Sequence, residues 1–167
     1  MAKNWKIRTD LSIEVYGHTL FRIECTQDFK EIKAGTLGGY IEKEENLDGN
    51  AWVSDSACVF GNARVSDNAR VTDNAWVSGN ARVYGDALIY SDAWVYGNAR
   101  VCGDAQVYGN ARVYGDKITN KDDICYISNR YYNITITPLH IKIGCQYHAQ
   151  EAWWNFTNEQ IEKMDGE

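Results

Sequence analysis

The chain has 167 residues, 44% of them hydrophobic, and a formal net charge of -6 from 17 basic and 23 acidic side chains. That length suits one domain, or one elongated body with small attachments, and the acidic balance argues against general affinity for nucleic acid or anionic membrane. No stretch approaches the roughly 20 apolar residues of a membrane span, and the five cysteines lack any CxxC spacing, so the expectation is a soluble cytoplasmic protein with reduced thiols and no cofactor.

In chain order, the first legible element is a hairpin in residues 12 to 24, "SIEVYGHTLFRIE", where Ile13 and Val15 alternate on one arm and Phe21 and Ile23 on the other. Gly17-His18 is the expected two-residue turn. Gly38-Gly39 then reads as a tight bend.

From Leu47 the chain repeats. An aliphatic residue recurs at every sixth position, from Leu47, Val53 and Val59 through Ile89 to Val113. Alanine stands two residues before each of these from Val53 onward, and Gly, Asn, Asp or Ser fills the intervening steps. A period of six fits no helical repeat, and residues that tolerate positive φ mark corners, so each hexad is a short strand followed by a turn.

Past the repeats, "ICYIS", "NITIT" and "HIKIGC" alternate like three short strands, with Pro138 in the last turn. "QEAWWNF" and "TNEQIEKM" follow as helical segments, the second opened by Thr157 with Gln160 in the capping-box position. The amphipathic pattern is cut at Glu167, as if the helix were to continue.

The phrase [Val/Ile/Leu]-x-Gly-[Asn/Asp]-Ala-x, over about residues 41 to 118, resembles the hexapeptide repeat of left-handed parallel β-helices. The resemblance implies three hexads per triangular coil, aliphatic and small residues pointing inward, and roughly four coils. An all-β fold follows: an N-terminal hairpin cap (1–40), the left-handed β-helix (41–118), and a C-terminal cap of strands and helix (119–167), because open coil ends would expose strand edges and core valines. "GGYIEKEENL" before the hexads and "IGCQYH" after them resemble small hexapeptide-repeat proteins of phage and prophage genomes, often labelled transferases on fold alone.

If three hexads close a coil, residues eighteen apart stack. One face then carries Arg64, Arg82 and Arg100 beside Ser66, Tyr84 and Cys102. The second carries Cys58, Trp76, Trp94 and Arg112 beside Phe60, Ser78, Tyr96 and Tyr114. The third carries Trp52, Arg70, Leu88 and Gln106 beside Ser54, Thr72, Tyr90 and Tyr108.

Trp52, Phe60, Trp76, Trp94, Tyr96 and Tyr114 are the candidates for self-association, as homodimer or homotrimer, or for a macromolecular partner. The alternative is that these rings only stack on their neighbours up the column. The arginines Arg64, Arg82 and Arg100, with Tyr84, are candidates for a nucleotide-like anionic ligand. Neutralisation by the turn carboxylates Asp67, Asp86 and Asp104 is the competing expectation.

Catalytic residues are hard to find. Hexapeptide acyltransferases use a histidine base, and γ-type carbonic anhydrases three histidines on zinc, whereas His18, His140 and His148 all lie outside the hexads. Cys125, His140, Cys145 and His148 fit packing better than a metal site. The expected function is therefore a non-enzymatic binding protein, by resemblance phage-encoded, that engages a host protein such as a defence component. Nucleotide sequestration and an acyltransferase-like activity are the alternatives.

Overall fold

The computed structural model describes residues 3–128 and 132–164; the outermost residues of the two expected cap segments, together with residues 129–131, lie outside the described residues. The chain forms a parallel β-solenoid of about four turns, one face of which is continued at the N-terminal end by antiparallel strands, with a separate antiparallel sheet at the other end.

Each hexad contributes a strand of two or three residues, and strands three hexads apart pair in parallel. On one face Arg64–Val65, Arg82–Val83, Arg100–Val101 and Lys117–Ile118 are neighbours. A second face is built by Cys58–Val59, Trp76–Val77, Trp94–Tyr96 and Arg112–Tyr114. On the third, Trp52–Val53, Arg70–Val71, Leu88–Ile89 and Gln106–Val107 pair. The eighteen-residue columns expected from the sequence are thus the observed registers.

The inward positions explain the strictness of the repeat. Val53, Val59, Val65, Val71 and their successors to Val113 are completely buried, and Ala51, Ala57, Ala69, Ala75, Ala81 and Ala93 are equally inaccessible at the corners. Burying one valine contributes about 1.5–3 kcal/mol, and nothing larger than alanine fits where the chain turns. Corners rise through the left-handed region, at Gly61, Gly79 and Gly97 but also at Asp55, Asp67, Asp73 and Ser91. Asparagine side chains tie corners of successive coils, Asn62 donating to Asn80 and Asn80 to Asn98 at 3.2 and 3.3 Å.

The N-terminal segment differs from its expected form. β1 (Trp5–Val15) and β2 (His18–Cys25) make a hairpin that begins at Trp5, with a register shift between Arg8 and Ser12. Val15 pairs with His18, so the turn residues are Tyr16 and Gly17, at φ 48° and 81°, rather than Gly17-His18. A two-residue turn with positive φ at both positions matches the twist of the strands, and His18 is already extended.

β3 (Leu37–Ile41) pairs antiparallel with β2 and parallel with Cys58–Val59, joining the hairpin to the solenoid in one sheet. Gly38 and Gly39 lie within this strand and form no bend. A Cβ on Gly38 would stand 2.6 Å from the Val53 carbonyl oxygen and one on Gly39 2.7 Å from that of Ala57, so the glycines are there because two backbones meet.

At the other end four strands form an antiparallel sheet: Cys125–Ser128, Asn133–Ile136, His140–Ile143 and Gln146–Ala149. The fourth was hidden by the aromatic and polar letters "QYHA". Helices Gln150–Trp153 and Asn158–Met164 follow. Thr157 caps the second as expected: its N–H donates to the Gln160 side-chain oxygen at 2.8 Å, and Gln160 N–H donates to the Thr157 hydroxyl at 3.3 Å.

Candidate functional site

The arginine face holds the best candidate site. Arg64, Arg82 and Arg100 point outward from paired strands and are exposed. Lys117, also exposed, extends the column to four cations. It escaped the eighteen-residue rule because the last step of the column is seventeen residues. Strand spacing sets neighbouring Cα atoms about 4.8 Å apart, so adjacent charges repel by on the order of 1 kcal/mol even in water.

The expected neutralisation by turn carboxylates does not occur. Among the described residues the salt bridges engage Lys3, Lys6, Arg8, Lys33 and Arg70, with His18 and His140, and none engages the ladder. Asp67 instead accepts the Gly85 N–H at 3.0 Å, and Asp86 accepts from the Asn68 amide at 3.1 Å. Asp67 and Asp86 are thus engaged by corners of adjacent coils, within hydrogen-bond distance, and neither forms an ion pair with an arginine of the ladder.

A groove of about 570 Å³ runs beside the ladder, lined by Arg64, Arg82, Arg100 and Tyr84 and closed at one end by Lys3, Glu44, Glu45 and Asp48. Lys3 pairs with Glu44 at 2.8 Å. Tyr84 is half-buried and sits above the buried Cys102, whose thiol is the main cause holding the Tyr84 phenol above its ordinary value. Lys3, Glu44, Glu45 and Asp48 precede the regular hexads, and no periodicity in the sequence could assign them to this groove.

The aromatic column is less available than the sequence suggests. Trp76 and Trp94 stack with ring centroids 4.8 Å apart and planes 3° from parallel, and the Arg112 guanidinium lies 4.3 Å over Trp94. Phe60 is 7% exposed, packed with Leu20 and Cys58 beneath the hairpin. Trp52, on another face, is 6% exposed and covered by Phe29 with centroids 5.8 Å apart. Phe60 and Trp52 therefore hold the molecule together and present no free surface: the N-terminal segment wraps over positions that face outward from the coils.

What stays open on this face is a strip formed by Trp94 and Tyr96, both half-buried, with Tyr114 and the hairpin-tip residue Tyr16. Tyr16, 75% exposed, meets Trp76 and Trp94 edge-on at 5.4 and 6.4 Å. Burial pushes the Tyr96 phenol up and the Arg112 guanidinium down from their ordinary values.

At the solenoid's C-terminal end Asp116, 1% exposed, accepts hydrogen bonds from the hydroxyls of Thr137 at 2.9 Å and Tyr147 at 3.1 Å, and pairs with His140 Nδ1 at 3.0 Å. Tyr147 also donates to the Tyr114 carbonyl and stacks on His140, with centroids 4.7 Å apart. His148 contacts Gln146 at 3.2 Å and packs against Trp153 and Phe156. Among the described residues no group of three His, Cys, Asp or Glu side chains is placed to hold a metal ion, and no helix is long and apolar enough to cross a membrane.

Comparison with known proteins bears on the coils. The hexads are similar to the YdcK Beta solenoid repeat, whose family model matches residues 63–79, 75–91, 81–97 and 105–118. No curated protein matches the chain. The likeness therefore covers the repeated core of the solenoid, and the groove floor at Arg64, Arg82 and Tyr84 lies inside it.

Proposed function

We propose that this chain is a non-enzymatic binding protein whose working surface is the ladder Arg64–Arg82–Arg100, and that its partner is anionic. The observation that carries the proposal is the pairing state of the ladder: three exposed guanidiniums in register on a sheet, none in an ion pair with a carboxylate among the described residues. Guanidiniums pre-organised in this way bind carboxylate or phosphate groups with little further ordering cost. In the same reading the solenoid is a left-handed hexapeptide-repeat helix, the terminal sheets act as its caps, and the phage-type resemblance makes a host macromolecule the target.

Titration calorimetry with inorganic tripolyphosphate and with poly-glutamate tests the reading. Both should bind, more weakly as salt rises, and the double substitution Arg82→Glu/Arg100→Glu should lower affinity by at least about tenfold. Equal heats for the native and charge-reversed proteins would sink the proposal.

The open strip of Tyr16, Trp94, Tyr96 and Tyr114 favours self-association as a second use of the surface, since exposed rings on a rigid sheet seat readily on a copy of themselves.

A further inference from the structure

Resting on the anion-binding reading above, we infer that the groove takes a nucleoside polyphosphate, with the phosphates over Arg82 and Arg100 and the base against Tyr84. Three features of the groove converge on this ligand class.

The first is an unpartnered ring. Every other aromatic side chain in the hexads rests on another ring: Trp52 on Phe29, Phe60 on Trp76, Trp76 on Trp94, Tyr90 on Tyr108, and Tyr96 on Tyr114. Tyr84 has no ring partner among the described residues, because the side chains above and below it in its column are Ser66 and Cys102. It is a half-buried platform between small neighbours, beside the unpaired guanidiniums. A nucleobase is the flat group that completes such a stack.

The second is volume. At about 570 Å³ the groove, open along one side, has room for a small ligand to lie against Arg82, Arg100 and Tyr84 together.

The third is polarity. Glu44, Glu45, Asp48 and Asp67 line the same groove as Arg64, Arg82 and Arg100. A uniformly charged polyanion gains from the arginine half alone and nothing from the carboxylate half. A ligand with anionic groups at one end and N–H or O–H donors at the other meets both halves favourably. The exposed Glu45 carboxylate makes no ion pair with any described residue, and Asp48 uses one oxygen on the Gly49 N–H at 2.8 Å. Both can accept from an exocyclic amino group or from ribose hydroxyls.

The test compares ATP and GTP with inorganic tripolyphosphate, by calorimetry at one salt concentration, on the native protein and on Tyr84→Ala, Tyr84→Phe and Arg82→Glu. At least one nucleotide should bind more tightly than tripolyphosphate. Tyr84→Ala should weaken that nucleotide by roughly five- to a hundredfold and leave tripolyphosphate unchanged, and Tyr84→Phe should retain tight binding. Arg82→Glu should weaken both ligands.

Matching melting temperatures show that a loss of binding is not a loss of fold. If tripolyphosphate binds at least as tightly as both nucleotides, or if Tyr84→Ala has no effect, the nucleotide inference is wrong while the anion-binding reading stands. If nothing binds the native protein, both fall.

Discussion

At the scale of single residues the solenoid leaves little freedom. Ala81 has no accessible surface and lies between the core valines Val77 and Val83 at a corner. Ala81→Leu should overpack that corner and destabilise the protein by about 1–3 kcal/mol, read as a lower denaturant midpoint with an unchanged slope; a wild-type midpoint would show that the corner has room. Cys58 faces outward by register, yet it is 2% exposed, and burial pushes its thiol up to about 11. A thiol held in that state is an apolar packing group and not a nucleophile. Tyr16 runs the other way. A tyrosine at φ 48° is uncommon, and its ring contacts with Trp76 and Trp94 hold it there.

At the scale of elements, the hairpin and the C-terminal sheet attach by different means. β1 and β2 continue the aromatic-face sheet through β3, so their attachment is backbone pairing reinforced by the packing of Leu20 with Cys58 and Phe60. The C-terminal sheet forms a ladder of its own and meets the solenoid through Asp116 and the hydroxyl of Thr135, which accepts the Arg112 N–H at 3.2 Å. Asp116→Ala would leave His140 Nδ1 without its partner, at about 1–3 kcal/mol for the group left unsatisfied, while the hydroxyls of Thr137 and Tyr147 fall back on the carbonyls of His140 and Tyr114. Hydrogen exchange should quicken across residues 125–149 and stay slow across 63–113. Uniform quickening would mean that the sheet and the solenoid unfold as one unit.

For the whole molecule, a rigid prism with one cationic face and one aromatic strip invites assembly. The native protein should sediment above its monomer mass, and the double substitution Tyr16→Arg/Tyr114→Arg, at residues 75% and 46% exposed, should return it to monomer. A native protein that is monomeric at every concentration would leave the aromatic strip without this role. The sequence by itself determined the coil: one strand and one turn per hexad, valine and alanine inward, and columns such as Trp76 beneath Trp94. These follow from a local periodicity that every repeat restates. Which outward residues remain free was decided only by the tertiary structure. The sequence offered Trp52, Phe60 and Trp94 as equals, but the N-terminal segment folds over the first two and leaves the third partly open. The sequence likewise could not show that the corner aspartates turn to neighbouring corners and leave the arginines bare, or that Lys117 joins the ladder after a short step. Contacts of the distant N-terminal segment fix the first of these and side-chain choices between adjacent coils fix the other two, and a period of six residues carries no information about either.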